Sequence, residues 1–323
     1  MSTRLIARTL MILSLVVASG AGAQTFPDKP IRIIVPFGAG SAVDTIARAV
    51  GAQVAEQVGQ SLVIDNRTGA NGIIAAEAAA RSAPDGYTLF MPNDGIMAAN
   101  PAMHAKLPYD PLKDFAPVTL FSTVPLVLVA HPAFPAKNLA ELLSLAKARP
   151  NSINFSSTGA GAAQHLAMEF LMEASGTRMT HVPHKAMGPA LADVLAGHIP
   201  LMFSGMSNVV ALVKEGKLRA LAVSTARRSS AMPEVPSAAE AGVPGYSYAA
   251  WNGVVAPAAT PPDVVRRLHA EFAKAIANPA VRAKLSSLGF ELSGEGPAEF
   301  GALIRADVAR YGKLIRAIGI TAN

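Results

Sequence analysis

An α/β fold of two lobes is what this sequence predicts, on three observations. Strand-like and helix-like segments alternate along almost the whole chain, as layered α/β proteins require. The order strand, glycine loop, helix occurs twice, once around Gly38–Gly40 and again around Gly159–Gly161. Two extended apolar runs, residues 118–130 and 248–255, read as a crossing between lobes and a return crossing.

Each element follows from its residues. Residues 31–35 are a β-branched run and form a strand. Residues 43–58 are a helix, with Val43, Ile46, Ala47, Val50, Val54 and Val58 on one face. Asp44 falls in its first turn, where a carboxylate complements the helix dipole. Residues 62–64 are a second strand, ending at Asp65-Asn66-Arg67, and Gly69 to Gly72 open a helix over 73–81. Pro84-Asp85-Gly86 is a turn before a third strand at 87–91. Residues 107–117 are rich in proline and charge and lead into the first crossing, broken at Pro125. A helix at 139–148 carries Asn138 as its N-cap.

The pattern then restarts. A strand at 153–155, the loop Ser156-Ser157-Thr158-Gly159-Ala160-Gly161 and a helix at 162–174 repeat the geometry of the first unit with little of its sequence, so no internal repeat is assigned. Strands are expected at 181–183, 199–203 and 218–224, and helices at 189–195 and 209–215. Pro233, Pro236, Pro244 and Gly245 mark a long loop before the return crossing. Helices at 262–277 and 297–318 finish the chain, with Gly289 between them. The crossing and return divide the chain into a discontinuous lobe, 24–122 plus 250–323, and a continuous one, 123–249.

The first 23 residues read as an export signal. Arg4 and Arg8 are positive, residues 10–18 are apolar, and Ala21-Gly22-Ala23 is a cleavage site, so the mature chain starts at Gln24. The apolar run is shorter than the about 20 residues of a membrane span. Residues 13–23 contain no cysteine to carry a lipid, so a free, soluble, extracytoplasmic protein is expected. The chain has no cysteine at all, which excludes thiol catalysis, thiolate metal sites and iron–sulfur clusters. Net charge is +6, two of it in the leader, and only 15% of residues are charged. Without a basic run interleaved with aromatics, nucleic-acid binding has no support.

The glycine loops carry the chemistry. In Pro36-Phe37-Gly38-Ala39-Gly40-Ser41 a strand turns into a helix, and such a junction aims free backbone N–H groups at an anion. A dinucleotide fingerprint would need glycine at Val43, and no Gly-Lys-Ser/Thr follows for a P-loop. The plain alternative is a tight turn without a ligand. Two such loops set across a crossing favour a clamp. No G-x-S-x-G is present, and Ser144-x-x-Lys147 lies within a helix without the companion motifs of a penicillin-binding enzyme. His181 and His184, three apart on a strand, point to opposite faces, which argues against a metal pair. His165, one turn into the second helix, either reaches a bound anion or packs. Tyr246, Tyr248 and Trp251 pack the hinge or form one wall of a cleft.

Joint motifs then carry a resemblance. Pro27-Asp28-Lys29-Pro30-Ile31-Arg32-Ile33-Ile34-Val35-Pro36-Phe37 with Gly40 and Asp44 resembles the N-terminal signature of the tripartite tricarboxylate transporter substrate-binding family, the Bug receptors. Asp65-Asn66-Arg67, Pro84-Asp85-Gly86-Tyr87-Thr88-Leu89, Leu107-Pro108-Tyr109-Asp110-Pro111, Ser157-Thr158-Gly159 and Gly216-Lys217-Leu218-Arg219-Ala220 agree with it. The resemblance spans essentially the mature chain. It implies a type II periplasmic binding protein fold with two crossing hinge strands. It also implies a receptor that captures a small carboxylate and delivers it to the permease subunits of a tripartite transporter. No catalysis, cofactor or metal is expected, and a monomer is. The implied ligand-binding residues are Pro36, Phe37, Gly38, Ala39, Gly40, Ser41, Asp44, Asn93, Ser157, Thr158, Gly159, Gly161, His165, His184, Lys185 and Ser204.

This chain departs from the family pattern at four positions. Ser41 stands at a frequent glycine, His184 at a frequent tyrosine, Ala186 at a frequent glycine and Ser204 at a frequent aspartate. The missing carboxylate at Ser204 is expected to open a distal pocket to a second anionic or bulky polar group. A sensory receptor for a membrane kinase and a periplasmic enzyme with a catalytic histidine are the alternative readings.

Overall fold

The structure is a computed structural model that describes residues 26–320. The expected export signal lies outside the described residues. Ten strands form one curled sheet, and helices pack against both of its faces.

The first half begins with β1 (Ile31–Val35), flanked in parallel by β2 (Leu62–Asn66) and β3 (Thr88–Phe90). Ile31, Ile33, Ile34 and Val35 are all buried, as a strand covered on both faces demands. The helices α1 (Ala42–Val58) and α2 (Ile73–Ala80) make the β1–β2 and β2–β3 connections. After β3 a π-helical turn, Gly95–Ala99, runs into the short helix α3 (Asn100–Met103). Neither was expected, because Gly95 and Pro101 are poor helix formers.

Strand β4 (Phe115–Ala130) is 16 residues long and joins the two halves. Its first part pairs with β9 (Ala249–Pro257), down to the register Val124↔Ala250 and Pro125↔Ala249. From Leu126 onward it pairs instead with β7 (Leu201–Gly205) and β8 (Arg219–Val223). The two crossing strands are therefore hydrogen-bonded to each other up to the point of exchange.

The second half repeats the parallel pattern. The helix α4 (Leu139–Ala148) leads into β5 (Asn154–Ser157), which pairs in parallel with β6 (Thr180–Pro183) and β7. The helices α5 (Ala163–Ser175), α6 (Met187–Leu195) and α7 (Met206–Lys214) alternate with these strands. The Asn138 side chain accepts from Glu141 N, as its N-cap role requires.

The chain returns through α8 (Pro262–Ala277), α9 (Pro279–Ser287), the two-residue β10 (Glu291–Leu292) and α10 (Pro297–Ile318). The sequence reading had no helix at α9. Asn278-Pro279 ends α8 and starts α9 in one step: Asn278 Oδ1 accepts from Ala280 N and Val281 N, and proline suits the first helical position. Helix α10 straddles the halves. Phe300 and Ile304 pack with Trp251 and Leu120, whereas Tyr311, Leu314 and Ile315 join the core of Leu166 and Phe170.

Candidate functional site

The first glycine loop joins β1 to α1. Gly40 takes a left-handed φ of 82°, and Ser41 follows in extended geometry as the N-cap, its Oγ accepting from Asp44 N at 3.3 Å. The loop is tied back by Asp44, whose Oδ2 accepts from Gly40 N and from Arg48 Nε, each at 2.9 Å. Asn66 Nδ2 donates to Asp44 Oδ1 and to the Phe37 carbonyl. Burial works to raise the Asp44 carboxyl, but Arg48, the Gly40 amide and Asn66 together outweigh it and hold the group below the usual carboxylate range.

The second loop joins β5 to α5 with the same backbone plan. Gly161 has φ 75°, and Ala162 follows at φ −66°, ψ 154°, close to Ser41 at −65°, 163°. Here the residue four on is His165, whose Nδ1 accepts from Gly161 N at 3.1 Å. Its Nε2 lies 3.2 Å from Glu169 Oε1, so the ring is the Nε2–H tautomer between an amide donor and a carboxylate. His165 stacks on His181 at 3.8 Å between ring centres, and His181 Nε2 meets Ser157 Oγ. Burial, then the neighbouring imidazoles of His165 and His184, pushes His181 down to about 4.

Between the halves lies a cleft of about 440 Å³, within the roughly 300–1,000 Å³ of small-molecule sites. Three helices start on its wall: α1 at Ser41, Ala42 and Val43, α5 at Ala163 and Gln164, and α7 at Met206, Ser207 and Asn208. The crossing strands contribute Val124, Leu126, Ala250, Trp251 and Asn252, and the α9–β10 connection contributes Leu288, Gly289 and Phe290. First-turn N–H groups have no intrahelical partner, and each helix start carries about half a positive charge, so this wall suits an anion. Ser41 accepts at Oγ and keeps its own hydrogen to donate.

Of the residues expected from sequence, Phe37, Ser41 and Asn93 line the cleft. Pro36 is buried behind the first loop, and Gly38, Ala39 and Gly40 are exposed on it. Asp44 and His165 do not line the cleft; each is buried and clamps the glycine four residues before it. Ser157, Gly159 and Gly161 shape the second loop, and Thr158 Oγ1 reaches Gln164 Oε1 at 3.0 Å, behind the cleft wall. His184 is held between Ser156 Oγ and Asp193 Oδ2, and Lys185 is exposed outside the cleft. Ser204 is fully buried, off the lining, and donates to the Gly205 carbonyl. The expected opening of a distal pocket at Ser204 therefore has no basis in this geometry.

Gln164, Asn208, Asn252 and the 288–290 segment were missed. Ser204-Gly205-Met206 is a third strand–glycine–helix junction in the sequence, and it was the available signal for Asn208.

The aromatic group of the return crossing packs the hinge. Tyr248 OH and Tyr311 OH both donate to Asp94 Oδ2, at 3.1 and 2.8 Å, and Trp251 Nε1 donates to Asp307 Oδ2 at 2.8 Å. Burial raises Asp94 to about 6 against the lowering effect of the tyrosine hydroxyls. Trp251 also forms part of the cleft wall.

A sheet that exchanges partners along two paired crossing strands, with helix starts from both halves meeting at a cleft, defines the two-lobed binding-protein class. Within that class, residues 46–320 match the model of the tripartite tricarboxylate transporter family receptor. Protein BugT of Bordetella pertussis is 33% identical, covering 98% of both chains. Two solved Rhodopseudomonas palustris proteins superimpose closely. One, determined with adipate, has TM-score 0.76 and 35% identity over 92% of this chain and 99% of its own. The other, MatC with bound malate, has TM-score 0.73 and 33% identity over 90% of this chain and all of its own. The chain belongs to the tripartite tricarboxylate transporter receptor family, whose members are periplasmic solute-binding receptors.

Proposed function

We propose that this protein binds a small carboxylate in the cleft between its two lobes and hands it to the permease subunits of a tripartite transporter, without chemical turnover. The observation that carries the reading is the meeting of helix starts α1 and α5, from opposite halves, at one cleft without a lysine or arginine among its described lining residues. Such a site neutralises a carboxylate with amide dipoles and hydroxyls rather than with a buried ion pair. Release then needs only the halves to part along β4 and β9.

In this reading the lobes are 24–122 plus 250–323 and 123–249, and the protein is exported, cleaved before Gln24 and monomeric. Ser41, Ala42, Val43, Asn93 and Gln164 contact the ligand, Thr158 orients Gln164, and Asp44 and His165 hold the two loops. Similarity to the adipate- and malate-bound proteins supports the ligand class.

A thermal-shift screen of the mature protein against mono-, di- and tricarboxylates tests it. A ligand at 100 times its Kd adds about 2.7 kcal/mol of stability. Thr158→Val is expected to cut that shift sharply at an unchanged ligand-free melting temperature. No shift from any carboxylate would overturn the reading.

A further inference from the structure

Strand β9 has one polar side chain along its whole length. Trp251, Val254, Val255 and Ala256 are buried, as a central strand requires, and Asn252 among them is only 5% exposed. Asparagine is depleted in strands, and a buried amide without partners is costly. The Asn252 side chain makes no hydrogen bond among the described residues. The side-chain atoms there that are both sealed from solvent and unpaired are His104 Nε2, Ser122 Oγ and Arg310 Nε. The Asn252 amide is therefore open, and the surface it opens onto is the cleft.

The sheet sets two further polar groups beside it. Asn252 lies opposite Asn93 on one side and opposite Ser122 of β4 on the other. Directly opposed residues of an antiparallel pair share a face, so Asn93, Asn252 and Ser122 form one polar row across the sheet. Asn93 Oδ1 accepts from Ile96 N at 3.0 Å, which fixes that amide and leaves its Nδ2 to donate. Asn93 lines the cleft as well. The row thus adds side-chain donors to a site whose helix starts offer backbone dipoles, and a carboxylate held by the helix starts leaves these donors for another oxygen.

We propose that Asn252 sets selectivity in this cleft. With Asn93 it donates to a second oxygen of the ligand, the hydroxyl or the second carboxylate of an acid whose first carboxylate sits at the helix starts. The proposal rests on the carboxylate-receptor reading and adds to it a second, oxygen-bearing group and the residue that reads it.

Calorimetric titration of the mature protein and of Asn252→Leu tests it at two chain lengths. One set is butyrate, 3-hydroxybutyrate and succinate; the other is hexanoate, 6-hydroxyhexanoate and adipate. At one length at least, the hydroxy acid or the diacid is expected to bind wild type about tenfold tighter than the plain acid. Leucine has the branched shape of asparagine and needs no polar partner. Asn252→Leu is therefore expected to keep or raise the ligand-free melting temperature and to erase that preference. The tighter of the two oxygenated acids identifies the oxygen. Asn252→Asp checks the assignment, because a like charge there is expected to weaken the diacid far more than the hydroxy acid. Wild type binding the plain acids as tightly as their oxygenated counterparts would overturn the proposal and leave the receptor reading intact. So would a preference that survives Asn252→Leu, or an equal loss for every acid in that variant, which is the mark of a structural residue. Silence from every acid would overturn the receptor reading itself.

Discussion

The two glycine loops of this receptor share one backbone and differ in what holds it. In each, a left-handed glycine precedes an extended N-cap residue, and the glycine N–H is caught by the side chain four residues on. In the first loop that side chain is Asp44, supported by Arg48 and Asn66. In the second it is His165, supported by Glu169 and stacked on His181. A carboxylate can only accept, and Asp44 stays ionised below the usual carboxylate range. An imidazole accepts at Nδ1 only while that nitrogen is unprotonated. One loop is thus held by a carboxylate's charge, and the other by an imidazole's lone pair.

Removing the clamps separates the two. Asp44→Ala deletes charge-assisted bonds to Gly40, Arg48 and Asn66 at once and is expected to cost about 2–3 kcal/mol. Ligand affinity falls with it, because the α1 amides lose their alignment. Urea denaturation with calorimetry on the same sample measures both. His165→Phe keeps the stack on His181 and Phe155 but leaves Gly161 N–H and Glu169 without their partner. The expected cost is about 1–2 kcal/mol, with a matching loss of affinity. If His165→Phe proved as stable as wild type, the shared clamp would be a coincidence of geometry.

Acid acts with opposite sign on the second loop and on the hinge. His181 sits near 4 in the folded chain, against about 6.5 for a free imidazole. Its contribution to stability is therefore complete above about pH 6.5 and is lost as pH falls toward 4. Asp94, raised to about 6, acts in the opposite sense: its contribution is complete below the ordinary carboxylate value and lost as pH rises through 6. The two partly cancel in the wild-type melting curve, so the difference from a variant is the clean measure. The melting-temperature advantage of wild type over His181→Asn is expected to shrink steadily from pH 7 to pH 4.5. A constant gap would detach His181 from the second loop's stability.

Much of this was legible in the sequence, for physical reasons that also mark where reading stops. Alternation of β-branched runs with amphipathic segments located β1, α1, β4, α4 and α10, because burial writes periodicity into local sequence. Both glycine loops were visible, since left-handed backbone demands glycine at Gly40 and Gly161. Helix α9 was not, although Asn278-Pro279 is a helix-start signal, and neither was the turn at Gly95–Ala99, where glycine opposes helix propensity. Site chemistry was legible by loop and not by side chain. Asp44 and His165 were expected to face the ligand, and both turn inward, because an i to i+4 contact to a backbone amide is a three-dimensional choice between two available partners. Ser204 misled for a similar reason. Leu201 to Ser204 are all buried, so β7 is covered on both faces and its alternation does not tell which side chain reaches the cleft.

The smallest contrast between the loops is at the N-cap, and it offers a transplant. Ser41 caps α1 with its hydroxyl, whereas Ala162, at nearly the same φ and ψ, has no side chain to cap α5. Replacing Ser41 by alanine is expected to cost about 1 kcal/mol, and Ala162→Ser to gain about 0.5–1 kcal/mol, both read as shifts in denaturation midpoint. Ser41 also lines the cleft, so Ser41→Ala should weaken carboxylate binding beyond what its stability loss explains. Ala162 lies off the cleft lining, so Ala162→Ser should leave affinity where it was. A gain in affinity from Ala162→Ser would mean that the second loop presents its own N-cap to the ligand, and that the two loops are more alike in function than their clamps are in chemistry.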